Sequence, residues 1–324
     1  MESMSRQSHR NLEVLVYEDG SVDSSSKILT RVAKKDNRIR IIEGGTNRGI
    51  VYGLNKLIEE SKGKFIARMD ADDISLPNRI AVQLDYLETT GADLCGSWFE
   101  EFGGGIPRST RWPTGESELR TALLFQNTLC HPTIFAKRSV FETFSYRQGY
   151  NLAEDYDLFV RFSTRFRLRN VPKVLLRYRR HASQATRAKR QAMEAITSLI
   201  RIEALERQGI KPLPEEQRLH NLIRAPQSIT NIDDLRGIEA WLEKLLFFFP
   251  DPASQNIIAS QWTRAAIRAA PLGRKMWETY RSSPLHSLLQ SRMTRDIDLA
   301  FLAMSRLDYA SRSFNVIRRL GLSA

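Results

Sequence analysis

The sequence predicts an α/β sandwich built on a largely parallel sheet over residues 1–186, with an all-α region over 187–324. Three observations carry this expectation. Apolar runs of strand length alternate with amphipathic stretches and short loops through the first half of the chain. Two of the runs stop abruptly in carboxylates, at Glu18-Asp19 and at Asp70-Ala71-Asp72-Asp73. Past residue 187 strand signals vanish, and helical stretches are divided by Pro212, Pro226, Pro250 and Pro252.

Taken in order, Glu13-Val14-Leu15-Val16-Tyr17 is a buried-strand pattern closed by the turn Glu18-Asp19-Gly20-Ser21. Ser24 to Lys35 reads as a helix with serines near its N-cap, where a hydroxyl accepts from unpaired N–H groups of the first turn. Ile39 to Ile42 is strand-like, and Gly44-Gly45-Thr46-Asn47-Arg48-Gly49 is a loop. Ile50, Leu54, Leu57 and Ile58 recur at helical spacing until Gly63. A strand over 64–69 delivers the second acidic turn, and Pro77 opens a helix with Ile80, Leu84 and Leu87 on one face. Ala92 to Ser97 is the next strand. Between 98 and 150 the pattern loosens, with loops marked by Gly103-Gly104-Gly105 and Trp112-Pro113-Thr114-Gly115. Glu154-Asp155-Tyr156-Asp157-Leu158 opens a further helix, and a strand at 173–178 leads into Arg179-Arg180-His181. Later helices are expected near 187–208, 214–224, 232–248, 253–269 and 294–319, with Trp241, Trp262 and Trp277 in their core.

Composition narrows the classes. At 324 residues and 42% hydrophobic, the chain can bury one large core or two smaller ones. Leu245-Leu246-Phe247-Phe248-Phe249 is halted by Pro250 well short of a membrane span, and the first residues carry no apolar signal core, so a soluble, cytoplasmic chain is expected. Cys95 and Cys130 fit a reducing compartment and show no zinc spacing. The net charge of +12, with a pI near 9.9, favours anionic partners. The basic residues are spread out, however, and no zinc finger, basic zipper or RNA-stacking motif accompanies them. The excess is read as a phosphate-rich substrate or a peripheral contact with an anionic membrane face, not as nucleic-acid binding.

An Asp-x-Asp at the end of a strand offers hard oxygen ligands, which suit Mg²⁺ or Mn²⁺. Alone, such a triplet is more often a solvated turn. Its position changes the reading: ligands of α/β sheets sit at the C-terminal ends of strands, and both acidic turns fall at that edge. They are expected to form one site.

Four segments in order resemble the family 2 glycosyltransferases with the GT-A fold. They are Val16-Tyr17-Glu18-Asp19-Gly20-Ser21-Val22-Asp23; Asn47-Arg48-Gly49 through Leu54-Asn55; Met69-Asp70-Ala71-Asp72-Asp73 with Pro77 and Arg79; and Glu154-Asp155-Tyr156-Asp157-Leu158-Phe159-Val160-Arg161. Each piece is weak alone; the ordered set is specific and covers residues 1–185. The resemblance implies an inverting, metal-dependent transferase of cell-surface polysaccharide or lipopolysaccharide assembly. It would move a sugar from a nucleotide-sugar, a UDP-sugar being the expected donor, to a hydroxyl of a glycan or glycolipid acceptor.

Carried over by position, the resemblance places Glu18 and Asp19 at the nucleotide base with Arg48 nearby, Glu18 standing where the family usually has Asp. Asp70 would bond the ribose, and Asp72 would ligate the Mn²⁺ or Mg²⁺ that bridges the diphosphate. Asp73 would orient a metal-bound water or serve as a carboxylate at the N-terminus of the next helix. Asp155 would be the general base, or with Glu154 a helix cap, and its place at a helix N-terminus predicts a lowered pKa. Arg180 and His181 would line the acceptor side or close over the diphosphate, or else be hydrogen-bonded structural residues. His131 reads as a hydrogen-bonded structural residue, and Asp157 as structural. The Gln-x-x-Arg-Trp signature of processive synthases is missing, which favours single additions.

One departure stands out. Family members begin with a strand that walls the nucleotide pocket, whereas Met1 to Ser8 looks like the helix that follows it. The chain as written is expected to lack an internal strand and to expose unpaired backbone. That leaves a second reading, a catalytically inactive nucleotide-sugar-binding remnant.

Overall fold

The computed structural model describes residues 1–104, 107–180, 190–290, 292–309, 311 and 313–314. The chain divides into one unit of Met1–Leu119 with Asn127–Ile200 and a second of Arg120–Gln126 with Arg201–Ala324. The expected boundary at 186/187 lies outside the described residues.

In the first unit, β1 (Val14–Glu18) and β2 (Ile39–Glu43) pair in parallel, Val14 opposite Ile39. A parallel pair needs a crossover, supplied by α2 (Ser25–Ala33). α3 (Ile50–Glu60) brings Gly53 over the Tyr17 ring, where an added Cβ would stand 2.8 Å from Tyr17 Cδ1. Glycine is what permits that approach.

The second sheet holds β3 (Phe65–Ala67), β4 (Ile74–Ser75), β5 (Leu94–Phe102), β6 (Arg108–Thr110), β7 (Phe135–Lys137) and β8 (Leu168–Arg179). Its order is β3-β7-β5-β8-β4, with β6 beside β5. This sheet is mixed, not largely parallel. β5 and β8 run parallel, whereas the β3–β7, β5–β7, β4–β8 and β5–β6 pairs are antiparallel. The crossover logic still holds for direction. β3 and β5, on either side of α4 (Arg79–Thr90), both oppose β7 and therefore run the same way. What the loop-like stretch 98–150 concealed is β7, which slots between them. Among the described residues no ladder joins this sheet to β1–β2.

The core of this sheet gathers Ile80 and Leu87 of α4 with Cys95, Phe135, Val171 and Leu175, and Phe65 stacks on Phe135 at 5.3 Å. Burying each large side chain contributes about 1.5–3 kcal/mol. The start of the chain, with α1 (Glu2–Ser5), is fastened by the fully buried Gln7. Its amide donates to Ser75 Oγ (3.1 Å) and the Leu76 carbonyl (2.8 Å) and accepts from the Ile80 N–H (3.2 Å). α5 (Glu116–Ala122) and α6 (Arg138–Thr143) occupy the region read as loops, and α7 (Glu154–Ser163) begins where its acidic opening predicted.

The helices that follow are α8 (Arg190–Arg207), α9 (Pro214–Leu222), α10 (Ile232–Leu246), α11 (Pro252–Arg268), α12 (Arg274–Ser282), α13 (Pro284–Ser287) and α14 (Arg292–Ser305). Asp251 caps α11 by accepting the Ser254 N–H, with Pro252 in the first turn. The α12–α13 pair was not anticipated. Trp241 and Trp262 are buried as expected, whereas Trp277 is only half-buried, and Trp262 stacks on Tyr280. His220 is fully buried: its Nδ1 accepts from Trp241 Nε1 (3.0 Å) and its Nε2 donates to the Leu124 carbonyl (2.9 Å). Burial pushes its pKa down to about 3, so it stays neutral. No helix among the described residues is long and apolar enough to cross a membrane.

Candidate active site

The turn after β1 is internally braced. Glu18 accepts the N–H groups of Gly20 (3.2 Å) and Ser21 (2.6 Å), and the bonds from Ser21 hold its carboxyl below the usual carboxylate range. Asp19 reaches the 44–49 loop, where Oδ1 accepts the Arg48 N–H (2.7 Å) and Oδ2 that of Gly49 (3.0 Å). The Arg48 side chain lies over Tyr52, 4.8 Å from the ring centroid, and donates to its hydroxyl at 2.7 Å. Glu18, Asp19 and Arg48 thus come together, with Tyr17 and Tyr52 beside them at a ring separation of 5.9 Å.

The second acidic turn follows β3. Asp70, Asp72 and Asp73 each offer a carboxylate oxygen, and these atoms lie within 4.8 Å of one another. Arg68 grips Asp70, the carboxylate expected at the ribose, with both terminal nitrogens, at 2.7 and 2.6 Å. Asp72 is exposed, and its backbone carbonyl accepts from Arg179 Nε at 2.8 Å. Asp73 is 5% exposed; Oδ1 accepts the Arg179 N–H at 2.8 Å, while Oδ2 is buried without a hydrogen-bond partner. Burial pushes its pKa up to about 7. Asp73 does not sit at a helix N-terminus: Ile74–Ser75 is a strand, and α4 begins at Arg79. A turn of hard oxygens with one buried oxygen unsatisfied fits a divalent cation such as Mg²⁺ or Mn²⁺.

Asp155 lies in the first turn of α7. Its Oδ2 accepts from Asn127 Nδ2 at 2.8 Å and its Oδ1 from the Tyr156 N–H at 2.7 Å. The expectation of a lowered pKa is overturned. Burial, and then the neighbouring Glu154 carboxylate, push Asp155 up to about 7, against smaller opposing effects of the Tyr156 N–H and Arg68. Desolvation here exceeds the field of a helix terminus, which equals roughly half an elementary charge. Glu154 is itself buried, with Oε2 unpartnered, and burial raises its pKa too.

The remaining sites sort clearly. Arg180 pairs with Glu101 at 3.1 Å, and His181 lies outside the described residues. His131 is buried with Nε2 2.7 Å from the Tyr146 hydroxyl, and burial takes its pKa well below the ordinary value. Asp157 bonds Arg161 at 2.7 Å and also Arg147, tying α7 to the preceding loop. Sequence reasoning missed Arg68 and Asn127. A lone arginine two positions before Asp70 in an extended stretch shares its face, which signals a pair; Asn127 offered no comparable signal.

Residues 1–144 match the sequence model described as Glycosyl transferase family 2. An uncharacterized glycosyltransferase of Haemophilus influenzae is 33% identical over 198 residues, covering 57% of this chain and 61% of that protein. The amylovoran biosynthesis glycosyltransferase AmsE of Erwinia amylovora is 32% identical over 184 residues, or 55% of this chain and 68% of that one. The chain therefore spans about three-fifths to two-thirds of the length of these relatives. The crystal structure of S. aureus TarS 1-349 in complex with UDP-GlcNAc superposes with a TM-score of 0.52 at 14% identity, over 94% of this chain and 85% of that one. At such identity the likeness speaks to the fold, a mixed sheet with flanking helices of the GT-A type followed by a helical region.

Proposed function

The chain belongs to glycosyl transferase family 2, and on that premise we propose that it transfers a sugar from a UDP-sugar to an acceptor hydroxyl with inversion, in the assembly of a cell-surface glycan. One observation carries the reading. Arg68, the cation that grips Asp70, also acts electrostatically on Asp155, so the acidic turn and the raised carboxylate of α7 belong to one electrostatic unit.

Asp155 takes the proton of the acceptor hydroxyl as its oxygen attacks the anomeric carbon from the face opposite the nucleotide. One displacement with one base inverts the centre. A pKa near 7 keeps the carboxylate basic enough for that transfer at neutral pH. Glu18, Asp19 and Arg48 form the base end of the donor pocket. Asp70 would bond the ribose, and Asp72, the exposed carboxylate of the turn, would hold Mg²⁺ or Mn²⁺ with Asp73 beside it. When bound, such an ion would supply charge neutralisation to a leaving diphosphate. Arg180 and His181 would complete the diphosphate side. The donor assignment draws support from the TarS complex, and the glycan role from the AmsE name. A cytoplasmic place, with the basic surface meeting an anionic membrane face, belongs to the same proposal, as does a transferase part over residues 1–186.

A second reading, binding of a nucleotide-sugar without turnover, is favoured by the two sheets sharing no ladder among the described residues. The deciding assay follows UDP release from a panel of UDP-sugars with Mn²⁺, alongside calorimetry of UDP binding. Release that falls at least about a hundredfold in Asp72→Ala supports the transferase reading. UDP binding with no release supports the second, and release untouched by Asp72→Ala removes the metal role.

A further inference from the structure

We propose that Asn127 is the positioning residue for Asp155: its side-chain amide fixes the orientation of the carboxylate and stabilises its ionised form. The inference rests on the reading of Asp155 as the base. Asn127 lies in the connection between α5 and β7, 28 positions from Asp155, and its Nδ2 donates to Asp155 Oδ2 at 2.8 Å.

The amide orientation is determined by the backbone. Asn127 Oδ1 accepts the Leu129 N–H at 3.0 Å, an Asx turn that turns the NH₂ end toward Asp155. A flipped amide would set two donors against each other at Leu129 and two acceptors at Asp155. Asp155 Oδ1 is taken by the Tyr156 N–H, a bond within its own helix turn. Asn127 thus ties this carboxylate to a different segment of the unit. As a neutral donor it favours the anion without adding a charge that would compete for the acceptor.

The other groups acting on Asp155 pull in both directions. Glu154 on the same helix opposes ionisation, and Arg68 after β3 favours it. The Tyr146 phenol and the Cys130 thiol are also within electrostatic range, both neutral because burial raises their pKa values. Against that balance, a hydrogen bond to a charged acceptor shifts an equilibrium about tenfold, or about one pH unit.

The test uses the full chain and two substitutions. Asn127→Ala removes the amide. Asn127→Ser keeps a hydroxyl that can accept the Leu129 N–H in the same turn but is too short to reach Asp155. The Asp155 carboxyl is titrated by ¹³C NMR, assigned by its loss in Asp155→Asn, and UDP release from UDP-GlcNAc with Mn²⁺ is followed between pH 5 and 9. Both Asn127 variants are expected to titrate about one unit higher, with UDP release about tenfold slower at pH 6 and UDP affinity within twofold of the parent. An Asp155 titration unmoved in Asn127→Ser would overturn the proposal while leaving Asp155 as base intact. Parent-like UDP release by Asp155→Asn would overturn the assignment of the base, and this inference with it.

Discussion

Asp19 holds Arg48 through its backbone: the carboxylate accepts the Arg48 N–H at 2.7 Å, across 29 positions of sequence. With the Gly49 N–H as a second donor, the end of β1 sets the shape of the loop that opens α3. Asp19→Ala is expected to weaken UDP binding roughly tenfold by loosening that loop, with little change in melting temperature. Calorimetry checks the first, and a melting curve the second. Unchanged affinity would remove Asp19 from the proposed donor pocket.

As the proposed base, Asp155 must be ionised to accept a proton, and its pKa is raised to about 7. Turnover is therefore expected to rise with pH through about 7 and to fall on the acid side, where the carboxyl is protonated. Asp155→Asn should lower kcat by about 10²–10⁴ while leaving the KM for the donor near its parent value. A pH–rate profile with an acid limb near 4 would contradict the raised pKa.

Gly53 lies against Tyr17 so closely that a methyl group would meet the ring at 2.8 Å. Gly53→Ala should displace Tyr17 or α3 at a cost of about 1–3 kcal/mol. The expected signs are a lower melting temperature together with weaker UDP binding, since Tyr17 adjoins Glu18. A variant as stable as the parent would show that the ring has room to move.

His220 links stability to pH. Its pKa is depressed to about 3 in the folded state, whereas an unfolded histidine titrates near about 6.5. Below that value the unfolded chain binds a proton that the folded chain refuses. The stabilisation is therefore complete above about 6.5 and declines toward 3, by up to about 1.4 kcal/mol per pH unit. Melting curves should shift downward between pH 7 and pH 5. His220→Gln should melt lower at pH 7 but lose less on acidification; an identical pH slope would assign the effect to other groups.

What could be read from the residues follows physical lines. The acidic strand ends and α7 were legible because a run of apolar residues closed by carboxylates, or a cluster of them opening a periodic stretch, is a local pattern. β7 was not, because Phe135-Ala136-Lys137 is too short for any alternation to register, and its place between β3 and β5 is set by non-local pairing. Asn127 escaped for the same reason, as no spacing rule connects a loop amide to a helix start 28 positions on. The direction of the Asp155 shift was misjudged because a helix terminus is visible in one dimension, whereas burial is a property of everything packed around it. Asp73 changed meaning once two residues of strand appeared between it and α4.

The segment Arg120–Gln126 has a consequence for how relatives can exchange parts. It belongs to the helical unit although both its flanks belong to the other. Leu123, Leu124 and Phe125 are buried there, Thr121 bonds Ser254 at 2.7 Å, and Gln126 meets Arg224. A recombination event that swapped only the C-terminal portion would bring in helices shaped for a different heptapeptide. Inheritance of the helical portion is thus a two-piece affair, and substitutions in these seven residues should track those in the helices that enclose them.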